Sequence, residues 1–279
     1  MILYQQHIMW YEAQMLNETL DSLQKALEYS ELPVKLSFCF NSQTYLESPI
    51  EGSPESMFNL FNNHPILEHA EITYKTDQDS FYNIGDWRRE VYDSRAKYTV
   101  WGESDTLVPV DYFYALSHLQ IDQPHILSLS SRKMWDSSWT IVEHTRLQSL
   151  SPTHDTLGIL SCGNYIDYDQ LIDFNNQDDE IIIEELPITK VDGSLLALSS
   201  NLPHPFISPD QHFVGEDTCA QLFFANRRVP QYHITNRIKG HNYNHPLKRT
   251  NTNSTRDDSV FKRYADESRQ AMTNFLSHG

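Results

Sequence analysis

The chain has 279 residues, 39% of them hydrophobic and 12% aromatic, enough to bury a sizeable core in one long domain or two short ones. Its formal charge is −17, no apolar run approaches the roughly 18 residues of a membrane span, and the opening MILYQQHIMW has neither a basic leader region nor a clean apolar stretch. Three widely spaced cysteines, Cys39, Cys162 and Cys219, make neither a disulfide framework nor a zinc knuckle, so the expectation is a cytoplasmic globular protein in a reducing compartment.

Ile2, Tyr4 and Ile8 fall on one face of an opening strand. Leu16, Leu20, Leu23 and Leu27 then share one face of a helix, which Pro33 stops, and Val34, Leu36, Phe38 and Phe40 alternate as a second strand. Strand, amphipathic helix and strand in close succession form a βαβ unit and predict parallel pairing. A polar loop (41–56), a short helix from Met57 to Phe61, a strand over 70–76, a helix over 86–98 and a strand over 98–102 follow. A helix over 110–120 and a strand over 125–131 complete an α/β half, whose ligands are expected at the carboxyl ends of its strands. Beyond it, 139–147 predicts a strand, 178–186 an edge strand flanked by charge, 248–259 a mobile polar loop, and 260–276 a closing helix.

Charge is unevenly spread. Residues 1–225 carry 11 Lys/Arg against 34 Asp/Glu, a balance of −23, whereas residues 226–279 carry 10 against 4, a balance of +6. A cationic end on an acidic body suits an anionic ligand, a phosphate or a nucleic acid; a solvated basic tail is the plain alternative.

Three segments carry chemistry. The apolar strand YTVWG ends directly in Glu103-Ser104-Asp105, placing two carboxylates at the edge of a sheet, where oxygen ligands suit Mg²⁺ or Mn²⁺ shared with a diphosphate. Upstream stand Asn83-Ile84-Gly85-Asp86-Trp87-Arg88-Arg89 and then Arg95. Downstream are His212-Phe213-Val214-Gly215-Glu216-Asp217-Thr218 and Gly240-His241-Asn242-Tyr243-Asn244-His245, followed by Pro246-Leu247-Lys248-Arg249. Taken separately, an acid pair can be a solvated turn, and Gly215-Glu216-Asp217 can be a glycine turn into an acidic first helical turn.

In this order and spacing the segments resemble the GT-A glycosyltransferases, most closely those with a galactosyltransferase-like G-E-D segment. The resemblance implies an α/β fold with a mainly parallel central sheet and helices on both faces. It spans 1–247, divided into a nucleotide-sugar half (1–130) and an acceptor half (131–247), with 248–279 as basic lid loop and C-terminal helix. It implies a donor UDP-sugar and Mn²⁺ or Mg²⁺, with Asp105 and His245 as metal ligands and His241 in reserve. Glu103 stands where the family motif has Asp and would lie nearest the nucleotide. Asn83, Arg88, Arg89 and Arg95 would meet the nucleotide or its phosphates, and Lys248 and Arg249 would neutralise the leaving diphosphate. Asp217 would take the proton of the acceptor hydroxyl, with Glu216 orienting the acceptor.

The chain also looks like glycosyltransferases of tailed bacteriophages, which with the basic C-terminal region points to a hydroxymethylated pyrimidine in DNA as acceptor. The alternatives are a protein or glycan acceptor, and a module that holds a nucleotide sugar without turning it over. A nucleotidyltransferase would call for a Gly-rich phosphate loop near the N-terminus, and residues 1–20 contain no glycine.

Overall fold

The computed structural model describes residues 1–44, 53–59, 62–133, 152–154, 160–162, 172, 175–176, 180–186, 193–241 and 259–278. The chain opens with β1 (Ile2–Met9), α1 (Ala13–Glu28), β2 (Val34–Asn41), α2 (Pro54–Phe58), β3 (Ala70–Lys75), α3 (Ile84–Glu90) and β4 (Tyr98–Gly102). It continues with β5 (Thr106–Leu107), α4 (Tyr112–His118), β6 (Ile126–Lys133), and the small hairpin of β7 (Pro152–His154) and β8 (Leu160–Cys162). Last come β9 (Ile183–Leu186), β10 (Leu196–Ser199), α5 (Glu216–Asn226), β11 (Gln231–His241) and α6 (Ser259–His278).

Among the described residues one sheet runs β3-β2-β1-β4-β10-β6-β11-β5, with β9 also paired to β11. β1, β2, β3, β4, β6 and β11 all point the same way, and β5, β9 and β10 run against them. This is the mostly parallel α/β sheet that the alternation of elements predicts, and strands from either side of residue 130 share it.

The strand period sorts the core into two faces. Ile2, Tyr4 and Ile8 of β1, Leu36, Phe38 and Phe40 of β2, and Tyr98 and Val100 of β4 pack with Leu16, Leu20 and Leu23 of α1 and Phe113 and Leu116 of α4. On the opposite face Cys39 meets Trp87 of α3, while Trp101, Ile126, Leu196 and Leu198 meet Ala220, Phe223 and Phe224 of α5, with Phe275 of α6 beside them. Helices therefore cover both faces. No helix among the described residues is long and apolar enough to cross a membrane.

Several boundaries differ from the sequence reading for local reasons. The helix expected from Met57 starts at Pro54, because Ser53 Oγ accepts the Ser56 N–H and proline suits the first helical position. The helix expected over 86–98 runs only over Ile84–Glu90. Asn83 and Asp86 form a capping box that starts it early, and Asp93 turns the chain by accepting the Arg95 N–H at 2.9 Å. The charged edge strand narrows to β9, and the closing helix is α6. β10 and β11 were not foreseen: β10 has four residues, and β11 carries an irregularity between Ile234 and Ile238 that breaks the alternation. The strand expected over 139–147 and the loop expected over 248–259 lie outside the described residues.

On the α3 face of β1, buried His7 accepts at Nε2 from Asn41 Nδ2 (3.1 Å), which fixes it as neutral imidazole. Burial lowers its pKa from 6.5 to about 3, with Asp86 opposing and Arg88 reinforcing the shift. The unfolded chain therefore binds a proton that the folded chain refuses between those values. The stabilisation is fully present above about pH 6.5 and is lost as pH falls toward 3. Urea unfolding should give a stability loss between pH 7 and pH 5 that is smaller in His7→Gln than in the native chain by about 1–2 kcal/mol.

Candidate functional site

The chain leaves β1 toward β2 and β3 on one side and returns to β4 on the other, so the carboxyl ends of β1 and β4 flank a topological switch point. Open α/β sheets bind ligands in the crevice at such a point. Glu103, Ser104 and Asp105 leave β4 there. The middle residue is tied down: Ser104 Oγ donates to Glu12 (2.9 Å), whose carboxylate also accepts the Met9 N–H, and Thr19 of α1 donates to the Ser104 carbonyl (2.7 Å). The acid pair is thus held between the end of β1 and the first turns of α1. Glu103 keeps 27% of its side chain exposed, and Asp105 is buried at 3%.

The Asn-x-Gly run builds the second wall. Asn83 caps α3 from a buried position. Gly85 lies so close to the 211–212 backbone that a Cβ would collide with the Gln211 and His212 carbonyls, and its own N–H donates to His212 at 2.9 Å. Arg89 donates to the carbonyls of Ser208 (2.8 Å) and Gln211 (2.6 Å), and Asp86 pairs with both Arg89 and His212. α3 is therefore bolted to the loop that precedes the G-E-D segment, and α6 backs the same loop, with Phe213 N–H donating to Ser268 and Tyr264 stacked on Phe81.

Val214 and Gly215 both sit at positive φ, 60° and 77°, and aim the first turn of α5 at the sheet. For a β-branched residue this is a strained conformation of the kind found where geometry is over-determined. Glu216 and Asp217 occupy the helix N-terminus, where the peptide dipoles favour negative charge. Glu216 accepts from Arg88 at 2.5 Å, and the other arm of the same guanidinium donates to Glu103 at 2.8 Å. The Arg88 side chain is 1% exposed and lies over the Trp101 ring at 4.4 Å. Burial would lower the affinity of Arg88 for its proton, but Glu216, Glu103 and Asp217 outweigh it and hold the group above its ordinary value. Asp217 accepts the Thr218 N–H and packs against Gly193, where a Cβ would come within 2.6 Å of its own.

The third segment arrives through β11. Gly240 and His241 pair with Leu107 and Thr106, so the backbone of His241 runs beside the residue that follows Asp105. His245, Lys248 and Arg249 lie outside the described residues. Arg95 stands apart: it precedes β4, at the opposite end of the strand from the acid pair, with 88% of its side chain exposed and paired to Asp93. Arg89 faces backbone carbonyls and Asp86, and Arg88 faces two carboxylates, so the arginines of this run face partners within the protein.

Within the described residues no group of three or more His, Cys, Asp or Glu side chains is disposed to hold a metal ion. Glu103 and Asp105 supply two oxygen donors, one already paired to Arg88, and do not make a metal site by themselves. Cys39 and Cys219 are buried and protonated, pushed up to about 12 and about 11 by burial, and offer no nucleophile. Sequence reasoning missed Glu12, Thr19 and Gly193, which stand in no recognisable spacing with the acid segments they support, and Trp101, which underlies Arg88 rather than an acid.

No family model matches the chain, and no curated protein matches it in sequence. Among solved structures it is similar to residues 1–349 of TarS from S. aureus in complex with UDP-GlcNAc, at 8% identity over 99% of this chain and 71% of that one, with a TM-score of 0.47. It is also similar to the galactosyltransferase LgtC in complex with donor and acceptor sugar analogues, at 11% identity over 97% and 96% of the two chains, with a TM-score of 0.41. The bifunctional glycosyltransferase WbbM gives 12% identity over 97% of this chain and 44% of that one, with a TM-score of 0.34.

Gly85→Ala should cost about 1–3 kcal/mol in urea unfolding, because backbone carbonyls rather than flexible side-chain tips occupy the space. Arg88→Met should cost more, about 3–5 kcal/mol, since Glu103 and Glu216 would be left facing each other without their shared cation.

Proposed function

We propose that this protein is a GT-A-type glycosyltransferase that takes a UDP-sugar in the crevice between the carboxyl ends of β1 and β4. The observation that carries the reading is convergence. Three segments far apart in the chain, Asn83–Arg89, Glu103–Asp105 and Gly215–Asp217, meet around one buried guanidinium, and Gly240 and His241 pair with Leu107 and Thr106 just after Asp105. The contacts at Arg88 are not ones a parallel sheet needs, and they lie at the carboxyl end of β4, where such a sheet binds ligands.

In this reading Glu103 and Asp105 face the donor, the N-terminal end of α1 adds its dipole toward the diphosphate, and Lys248 and Arg249 are proposed, on the resemblance, to neutralise it as it leaves. An acceptor hydroxyl oxygen attacks the anomeric carbon, the bond from that carbon to the diphosphate oxygen breaks, and UDP departs with the electron pair. Asp217 takes the hydroxyl proton. On the resemblance, Asp105 and His245 would hold Mn²⁺ or Mg²⁺, which would supply positive charge to the diphosphate.

The acceptor proposed first is a hydroxymethylated pyrimidine of phage DNA, on the +6 balance of residues 226–279. Among the described residues there, Arg237 is engaged inside the fold with Asp111 and Lys239 with the Ser194 carbonyl, which leaves fewer cations for a DNA backbone.

Incubation with UDP-glucose, UDP-galactose and UDP-GlcNAc, with and without Mn²⁺, should release UDP with at least one donor. Asp217→Asn should lower transfer by roughly 10²–10⁴-fold with donor binding retained, whereas Lys35→Ala, at a surface pair with Glu71, should change nothing. Labelled sugar on hydroxymethylcytosine-containing duplex supports the DNA acceptor, and labelling of a peptide or oligosaccharide instead removes it. Donor binding without transfer to any acceptor identifies a binding module, and no binding of any donor rejects the proposal.

A further inference from the structure

We infer that Arg88 is a positioning residue, which fixes the donor-side carboxylate Glu103 relative to the acceptor-side segment Glu216-Asp217 without itself binding the nucleotide. This deepens the reading above and rests on it. The two carboxylates bound by Arg88 lie 15 and 128 residues away in sequence, one at the end of a strand and the other at the start of a helix on the opposite side of the site. One arm of the guanidinium donates to each, and Trp101 supports its plane from beneath. An incoming diphosphate would meet Glu103, which is partly exposed, before reaching the 1% exposed Arg88 behind it.

The residue type matters as well as the charge. A planar guanidinium offers separate N–H groups in fixed directions, so two carboxylates can be held at once at a set spacing and angle. A lysine ammonium is a point charge on a flexible stem and would follow one carboxylate at the expense of the other. Transfer needs the attacking oxygen and the anomeric carbon aligned closely, and displacement of one side by about 1 Å costs on the order of a hundredfold in rate. Glu103 and Asp217 are carried by different elements, and Arg88 ties those elements together directly.

The test is Arg88→Lys in the full chain, with UDP affinity measured by calorimetry, kcat by sugar transfer, and the folded fraction by near-ultraviolet circular dichroism. The expected result is a kcat per folded molecule lowered on the order of a hundredfold, with UDP affinity within about threefold of the native chain. A fall of about tenfold or more in UDP affinity would make Arg88 a donor ligand and overturn the inference. An unchanged kcat per folded molecule would make it a purely structural cation and overturn it equally. If Arg88→Lys does not fold, the double variant R88M/E216Q is compared with E216Q alone by the same measurements: a further fall in kcat with UDP affinity retained supports the inference, and no further fall, or a fall in UDP affinity, overturns it. A native chain that neither binds UDP nor transfers sugar overturns the glycosyltransferase reading and this inference with it. An active native chain with one of the two contrary results overturns the Arg88 assignment alone.

Discussion

A buried guanidinium organises this molecule. Taking Arg88 out of water costs several kcal/mol unless carboxylates meet it, so the fold must bring Glu103 and Glu216 to the same place. That requirement joins the end of β4, the middle of α3 and the first turn of α5, which nothing in their sequence spacing would connect. The other ties of α3 serve the same placement: Gly85 against the 211–212 backbone, Arg89 on the Ser208 and Gln211 carbonyls, and His212 on Asp86. The strained turn at Val214 and Gly215 belongs to this group, since it directs the acidic helix start toward the cation.

Sheet topology determines where that assembly sits. With β1 at the switch point, the loop after β4 lies at the carboxyl end of the sheet, and Thr19 of α1 holds it from the β1 side. The return of β11 along β6 then carries Gly240 and His241 to the strand stub just after Asp105. A mostly parallel sheet thus gathers residues from the first and last thirds of the chain at one edge. Arg95, at the amino-terminal end of β4, lies away from this group.

Much of this was legible in the sequence because it is local. The leucine spacing of α1, the alternation in β1, β2 and β4, the glycine before the acidic helix start, and the acid pair at a strand end each show within a dozen residues. Local features also failed in recognisable ways. Ile234 and Ile238 in β11, four apart, straddle a bulge and read as no clear strand. β10, buried in the middle of the sheet, is too short to announce itself. The basic excess of the C-terminal region suggested a surface for an anion, yet Arg237 and Lys239 turn inward to Asp111 and Ser194.

The sequence by itself determined the class of the fold, the strand-end position of Glu103 and Asp105, and the pairing of an acidic helix start with a glycine turn, because periodicity and turn chemistry act over a few residues. Only the tertiary structure decided what each arginine faces. Arg88, Arg89 and Arg95 look equivalent in a row of residues, but one is sealed between two carboxylates, one ties down a loop, and one remains in solvent. The difference is one of burial: a cation's partners follow from the elements that close over it, and those elements come from distant parts of the chain.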